Sequence, residues 1–205
     1  MNWIFGIALC CLGICLCTKA DFGLSMISAP PYIIHVKLRE LFPWYTQGMS
    51  EYIWEAFLFI VLCIIIRRFK VKGLLSFLTA VLSGFVIDGW FLLLGGNAPY
   101  ESLAGRIIAF VIGAPIISLA IAFVFRTTLP PQVYELNVSE ISKRFGLKLD
   151  KVKLGNDIIM LVISVSLSLI LTGKLTGIGI GTVIVTFANA PMISFFGKII
   201  DKLEK

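Results

Sequence analysis

Six long apolar runs, at roughly 3–18, 52–66, 74–95, 104–125, 156–172 and 177–197, set what this chain can become. A helix needs about 20 apolar residues to cross the hydrocarbon core of a bilayer, and each run approaches that length. In lipid every backbone polar group must be satisfied within the protein, so runs of this kind fold as helices. The sequence therefore predicts an all-α polytopic membrane protein with six transmembrane helices. Of its 205 residues 58% are hydrophobic and only 15% are charged, whereas soluble domains carry about a quarter charged residues. The chain cannot coat a water-soluble globule, and the lipid bilayer is its first expected partner. No polar linker divides it, so residues 1–205 read as a single integral membrane domain.

The basic residues give the orientation. The loop 67–72 holds four, the stretch 126–153 holds six, and the tail adds Lys198, Lys202 and Lys205, together thirteen of the 18. With six spans these segments share one side, and the positive-inside rule makes that side cytoplasmic, with both termini on it. The net charge of +6 is explained by topology, so nucleic acid is not an expected partner. The first run follows only Met1 and Asn2, without a basic leader region, and reads as a retained helix. Cys10, Cys11, Cys15, Cys17 and Cys63 all lie in apolar runs with no metal-ligand or disulfide spacing. They read as small buried residues, and no metal or cofactor is expected.

The two halves are patterned alike. Arg67–Trp90 overlays Gly173–Phe196, pairing Gly73 with Gly179 and Ile87 with Ile193, and the first helix pairs Gly6 with Gly113. Pro30-Pro31 and Pro130-Pro131 open corresponding polar segments. Three spans is an odd number, so the second copy must be inverted. The expected architecture is two inverted three-helix repeats, about 3–95 and 104–200, each with an amphipathic or re-entrant helix after its first span. In 31–42 the residues Ile34, Leu38, Leu41 and Phe42 fall on one face; in 131–145 Val133, Leu136, Ile141 and Phe145 do so, with Gly146 as a stop. Inverted repeats are a common construction of secondary transporters, although a duplicated three-helix unit without transport has the same pattern.

Three stretches carry a family resemblance: Gly6 to Gly13 leading into Lys19-Ala20-Asp21-Phe22-Gly23; Phe85-Val86-Ile87-Asp88-Gly89-Trp90; and Gly177-Ile178-Gly179-Ile180-Gly181-Thr182 followed by Ala190-Pro191. On these the chain resembles the YczE/YitT-like family of bacterial membrane proteins, over nearly its whole length. Ala190 stands where that family has Gly, and Ser28-Ala29-Pro30-Pro31-Tyr32-Ile33 lacks the acid of the family's first-loop pattern. The resemblance implies a bacterial plasma-membrane protein and brings no defined activity.

Ionisable residues inside a membrane are costly and mark functional sites by default. Asp88 lies about 22 Å along its helix from Gly73 at 1.5 Å per residue, in the outer third of the bilayer. Glu55 lies one turn inside the outer end of the second span, and Arg106 opens the fourth at a similar level. Together they read as one buried cluster for an ion or polar solute, or else as a static ion pair fixing helix register. Trp90 is included in this candidate site, with interfacial anchoring as its plainer role. Glu51 reads as solvated at the interface, His35 as a surface residue, and Asp157 with Lys153 as a local helical pair. Gly105, Ala109 and Gly113, then Ala114, Ser118 and Ala122, recur every four residues and predict close helix packing by the fourth span. The partner is open: the same chain, a second copy or another membrane protein. No nucleophile–base pairing is present, so an enzyme is not expected. The expected function is a small secondary transporter or exporter of a solute, with a solute-binding subunit of a larger transporter, or a non-transporting scaffold, as alternatives.

Overall fold

The computed structural model describes residues 2–67, 71–127 and 131–203. Residues 68–70 of the basic loop, Pro130 of the second Pro-Pro pair and Lys205 of the tail lie outside them. The described residues form eight helices and no strands: α1 (Asn2–Ala20), α2 (Ala29–Leu41), α3 (Gln47–Ile66), α4 (Val71–Leu93), α5 (Leu103–Val124), α6 (Val133–Phe145), α7 (Leu149–Thr172) and α8 (Ile180–Leu203). Six of them, all but α2 and α6, are long and apolar enough to cross a membrane. Several exceed the apolar runs of the sequence because polar flanks continue the same helix. Thr46 Oγ1 accepts the Met49 N–H at 3.1 Å and starts α3 five residues before its apolar run. Capping of this kind satisfies an N–H that the helix itself leaves unpaired.

Helix α1 is the axis of the bundle: 61% of its span is buried, against 22–44% for the other five. Its small residues make this possible, since Cys10, Cys11, Cys15 and Cys17 are buried and Gly13 admits a neighbour at close range. That neighbour is α5, running antiparallel. Gly6 lies against Val124, Gly13 against Gly113 and Ile117, and the Ala20 carbonyl accepts from Arg106 Nε at 2.8 Å. A Cβ on Gly13 would stand 2.6 Å from Ile117 Cγ1 and 2.9 Å from the Gly113 carbonyl, so only glycine allows this approach. Gly113 lies at this contact, and Ala109 and Ala122 are buried. Gly105, by contrast, serves the N-terminal cap made by Ser102, and Ala114 lines a groove toward α8.

The helix pairings repeat between the halves. Helix α1 packs on α4 as α5 packs on α8; α3 on α4 as α7 on α8; α2 on α3 and α7 as α6 on α7 and α3. The glycines of 177–181 make a backbone junction. The Leu24 N–H donates to the Gly177 carbonyl at 2.9 Å and the Gly181 N–H to the Phe22 carbonyl at 2.8 Å. Two of the sequence motifs thus meet where α1 ends and α8 begins, and the φ of +111° at Gly23 and +69° at Gly177 fits glycine.

The short helices differ from expectation in which part is buried. In α2 the buried residues are Ala29, Pro30, Pro31, Ile33 and His35, while Leu41 and Phe42 are exposed. In α6 Val133 to Val138 and Glu140 are buried, while Phe145 is exposed. Each helix inserts its N-terminal half end-on between longer helices instead of lying flat on a lengthwise apolar face. A flat helix sorts residues by face; an inserted one sorts them by position along the axis.

Candidate functional site

The four residues singled out from the sequence do not converge. Arg106 donates from Nη2 to the Asp21 carbonyl at 2.9 Å and to Asp21 Oδ2 at 3.1 Å, fastening the start of α5 to the end of α1. The expected Asp88–Glu55–Arg106 cluster is therefore not formed, because Asp21, displayed by a left-handed turn at φ 52°, takes the guanidinium. Trp90 Nε1 donates to the Ala8 carbonyl at 3.1 Å, joining α4 to α1. Asp88 Oδ1 accepts the Gly48 N–H at 3.1 Å, where α4 meets the start of α3. Glu55 Oε2 accepts the Val133 N–H at 2.5 Å and the Tyr134 N–H at 3.3 Å.

This last contact organises the interior. Helix α6 begins at Glu55, midway along α3, and its last turn reaches the end of α3, where Arg144 Nη1 donates to the Ile66 carbonyl. Its N-terminus carries free N–H groups and the positive end of the helix dipole, both suited to a carboxylate. Gln132 at the cap position supplies no side-chain bond, so Glu55 of another helix does so.

Glu55 is the third member of a row. Gln47, Glu51 and Glu55 follow one another at intervals of four on α3, 2%, 5% and 3% exposed. Residues at this spacing stack on one helix face. Glu51 is thus buried and not solvated, because the polar start of α3 is packed against its neighbours. Beyond Glu55 the row continues into Glu135 and Asp157. Tyr134 Oη donates to Asp157 Oδ1 at 2.6 Å and Lys153 Nζ donates to the same oxygen at 3.0 Å, with Nζ 4.4 Å from the Tyr134 ring centre. Lys153 and Asp157 form the helical pair expected from sequence, but a fully buried one. Cys10 of α1 lies within electrostatic reach of Glu51, Glu135 and Lys153, which puts the row against the bundle axis.

The row is incompletely satisfied. Glu51 Oε1, Glu135 Oε1, Asp157 Oδ2 and both amide atoms of Gln47 are buried without a hydrogen-bond partner. A buried carboxylate lacking a counter-charge is costly and tends to take up a proton. Burial pushes the Glu135 carboxyl from its ordinary 4.5 up to about 7; Lys153 opposes that rise and Asp157 adds to it. Burial and the neighbouring Asp157 likewise hold the Tyr134 phenol protonated, well above its usual range.

At the Gln47 end the row opens on a cavity of about 330 Å³ between α2, α3 and α4, lined by His35, Arg39, Trp44, Tyr45, Gln47 and Asp88 among others. His35 is 3% exposed, not a surface residue, since it belongs to the inserted half of α2. Burial, and secondarily the charge of Arg39, lowers its pKa from 6.5 to about 4, so the ring is neutral at pH 7. Its Nε2 lies 3.3 Å from Asn97 Nδ2, and Asn97 Oδ1 accepts from Arg39 at 3.1 Å. Among the described residues no group of three or more His, Cys, Asp or Glu side chains is arranged to hold a metal ion.

The spacing of Gln47, Glu51 and Glu55 was visible in sequence. Glu135 and Tyr134 gave no signal, because a polar segment between spans looks like a solvated loop helix.

Eight helices, six of membrane-spanning length, with two short ones inserted beside a buried polar row, define a helical multi-pass membrane protein. The chain belongs to DUF6198, a family of unknown function, which matches residues 1–198. It is also similar to the uncharacterized protein YyaS of Bacillus subtilis (strain 168), with 25% identity over 207 residues covering 98% of this chain and 94% of that protein. Neither match carries the chain to the YczE/YitT-like proteins that its motifs resemble. No solved structure matches it.

Proposed function

We propose that this protein is a small secondary transporter or exporter of the bacterial plasma membrane, moving a polar solute with protons. The observation that carries this reading is the row from Gln47 through Glu51 and Glu55 to Glu135 and Asp157. It links an open cavity at one end of the bundle to the inserted N-terminus of α6, and holds carboxyl oxygens without partners. Chains of buried carboxyl groups in a membrane serve as proton relays. The antiparallel α1–α5 axis and the matched pairings around it support a construction from two inverted halves. In such transporters the solute site lies near the repeat interface and uses the ends of discontinuous helices. On this reading the bias of basic residues favours the His35 end of the bundle outside and the Arg144 end in the cytoplasm.

The test is flux. The purified chain is reconstituted in liposomes containing a pH-sensitive dye, and a bacterial small-molecule extract is added under an imposed membrane potential. A solute-dependent pH change that Glu51→Gln or Glu135→Gln reduces at least tenfold is expected. Absence of any solute-dependent change in the wild type overturns the reading. Solute binding without flux points instead to a solute-capturing subunit of a larger assembly.

A further inference from the structure

The cavity between α2, α3 and α4 has poles of opposite charge. Asp88 is in the lining, held by the Gly48 N–H, and among the described residues no cation pairs with it. Arg39 is in the lining as well; its partner is the neutral Asn97 amide, and no described carboxylate pairs with it. Gln47 lies in the wall, 2% exposed, with both Nε2 and Oε1 unpartnered. An amide buried in this way is destabilising unless something supplies its hydrogen bonds. Trp44, Tyr45 and Phe91 complete the wall with aromatic surface.

We propose that this cavity binds a small zwitterion of amino-acid size, its ammonium toward Asp88 and its carboxylate toward Arg39. The assignment deepens the transport reading by naming the solute class and rests on it for its physiological meaning. A simple cation would face Arg39 uncompensated, and a simple anion would face Asp88. Neither conflict arises for a molecule carrying both charges. Of the other charged groups near the cavity, buried Lys19 is engaged by the Gly96 carbonyl of its wall at 2.9 Å. His35 is neutral at pH 7, and Glu40 is engaged by Lys37 at 2.7 Å. The aromatic wall suits an ammonium or an apolar side chain, and the volume of about 330 Å³ falls at the small end of ligand pockets.

The experiment measures binding apart from transport. The full chain in detergent is titrated with L-alanine, L-leucine and L-glutamine, and with the decarboxylated amine and deaminated acid of each. Fluorescence of Trp44 is the readout, with Trp44→Phe as the control for its origin. At least one amino acid is expected to bind saturably and ten or more times tighter than its own amine and acid. Asp88→Asn keeps an oxygen for the Gly48 N–H, removes the charge, and is expected to weaken binding at least tenfold. Arg39→Gln, on the exposed rim, probes the opposite pole if the first variant folds poorly, with the same loss expected. No binding of any amino acid, equal binding of an amine or an acid, or unchanged affinity in the folded charge variants overturns the assignment. Extract-driven flux without amino-acid binding sinks this assignment alone, and amino-acid binding without flux sinks only the transport reading.

Discussion

Glu55 and Val133, 78 positions apart, meet at 2.5 Å where a carboxylate in the middle of one helix closes the N-terminus of another. The contact places a charged or hydrogen-bonding acceptor where α6 has unpaired N–H groups, and it determines how deep α6 sits. Glu55→Gln retains an acceptor and loses the charge, whereas Glu55→Ala loses both. Losing a buried charge-assisted cap costs about 1.5–3 kcal/mol, so alanine is expected to lower the unfolding temperature in detergent clearly more than glutamine does. Equal shifts in the two variants would show that a neutral acceptor at this position contributes nothing to the docking of α6.

Gly48 and Gly84 meet backbone to backbone where α3 crosses α4. A Cβ on Gly48 would lie 2.3 Å from the Gly84 carbonyl oxygen and 2.7 Å from Asp88 Oδ2. Neither helix can retreat without separating, so Gly48→Ala is expected to destabilise the protein by about 1–3 kcal/mol or more, the range for overpacked cores. A Cβ on Gly89, in the same helix as Gly84, would meet nothing within 4 Å. Gly89→Ala is expected to be neutral or to stabilise by about 0.5–1 kcal/mol through helix propensity. Thermal unfolding of the two variants side by side tests the contrast.

Lys153 and Asp157 are 2% and 1% exposed along their side chains and 3.0 Å apart. Removing one member leaves the other as an isolated buried charge, at a cost of about 3–5 kcal/mol, whereas replacing both with apolar residues can be nearly neutral. Lys153→Met and Asp157→Leu are each expected to lower yield and unfolding temperature. Their combination should recover most of the loss. A double variant as unstable as the sum of the singles would show that the pair does not act as a unit.

Two titrations with opposite signs bound the pH range of stability. The folded pKa of Glu135, about 7, stands above its ordinary 4.5. The folded state holds that proton more tightly, so its contribution is complete below pH 4.5 and is lost as pH rises through 7. The folded pKa of His35, about 4, stands below 6.5. Its contribution is complete above pH 6.5 and is lost as pH falls through 4. Unfolding temperature against pH should therefore pass through a maximum between these limits. Glu135→Gln should flatten the alkaline side and His35→Gln the acid side, and a profile unchanged by either variant would place the titrating groups elsewhere.

The spans and the two short helices were legible in sequence because membrane burial writes them as length and periodicity. The depth of α2 and α6 was not, since insertion end-on leaves no lengthwise stripe for periodicity to register. That gap left His35 at a solvated surface it does not occupy. The expected partner of Arg106 failed for a different reason. The turn at Asp21 offers Arg106 both a carbonyl and a carboxylate. On the proposed construction from two halves, Lys153 and Asp157 stand at the positions related to Gln47 and Glu51. The same scaffold thus carries a neutralised pair in one half and an unbalanced carboxyl group in the other, a difference plain in the sequence once the two halves are overlaid.

The distance along the chain between Glu55 and α6 also sets an order of events during synthesis. The first four helices enter the membrane before the residues that meet Glu55 have been made, so the nascent first half must hold Glu51 and Glu55 without that partner. Insertion is easiest with both carboxyl groups protonated, and emergence of Val133 and Tyr134 then draws Glu55 into its final contact. The first half is therefore completed only by the second, at the Glu55–Val133 contact.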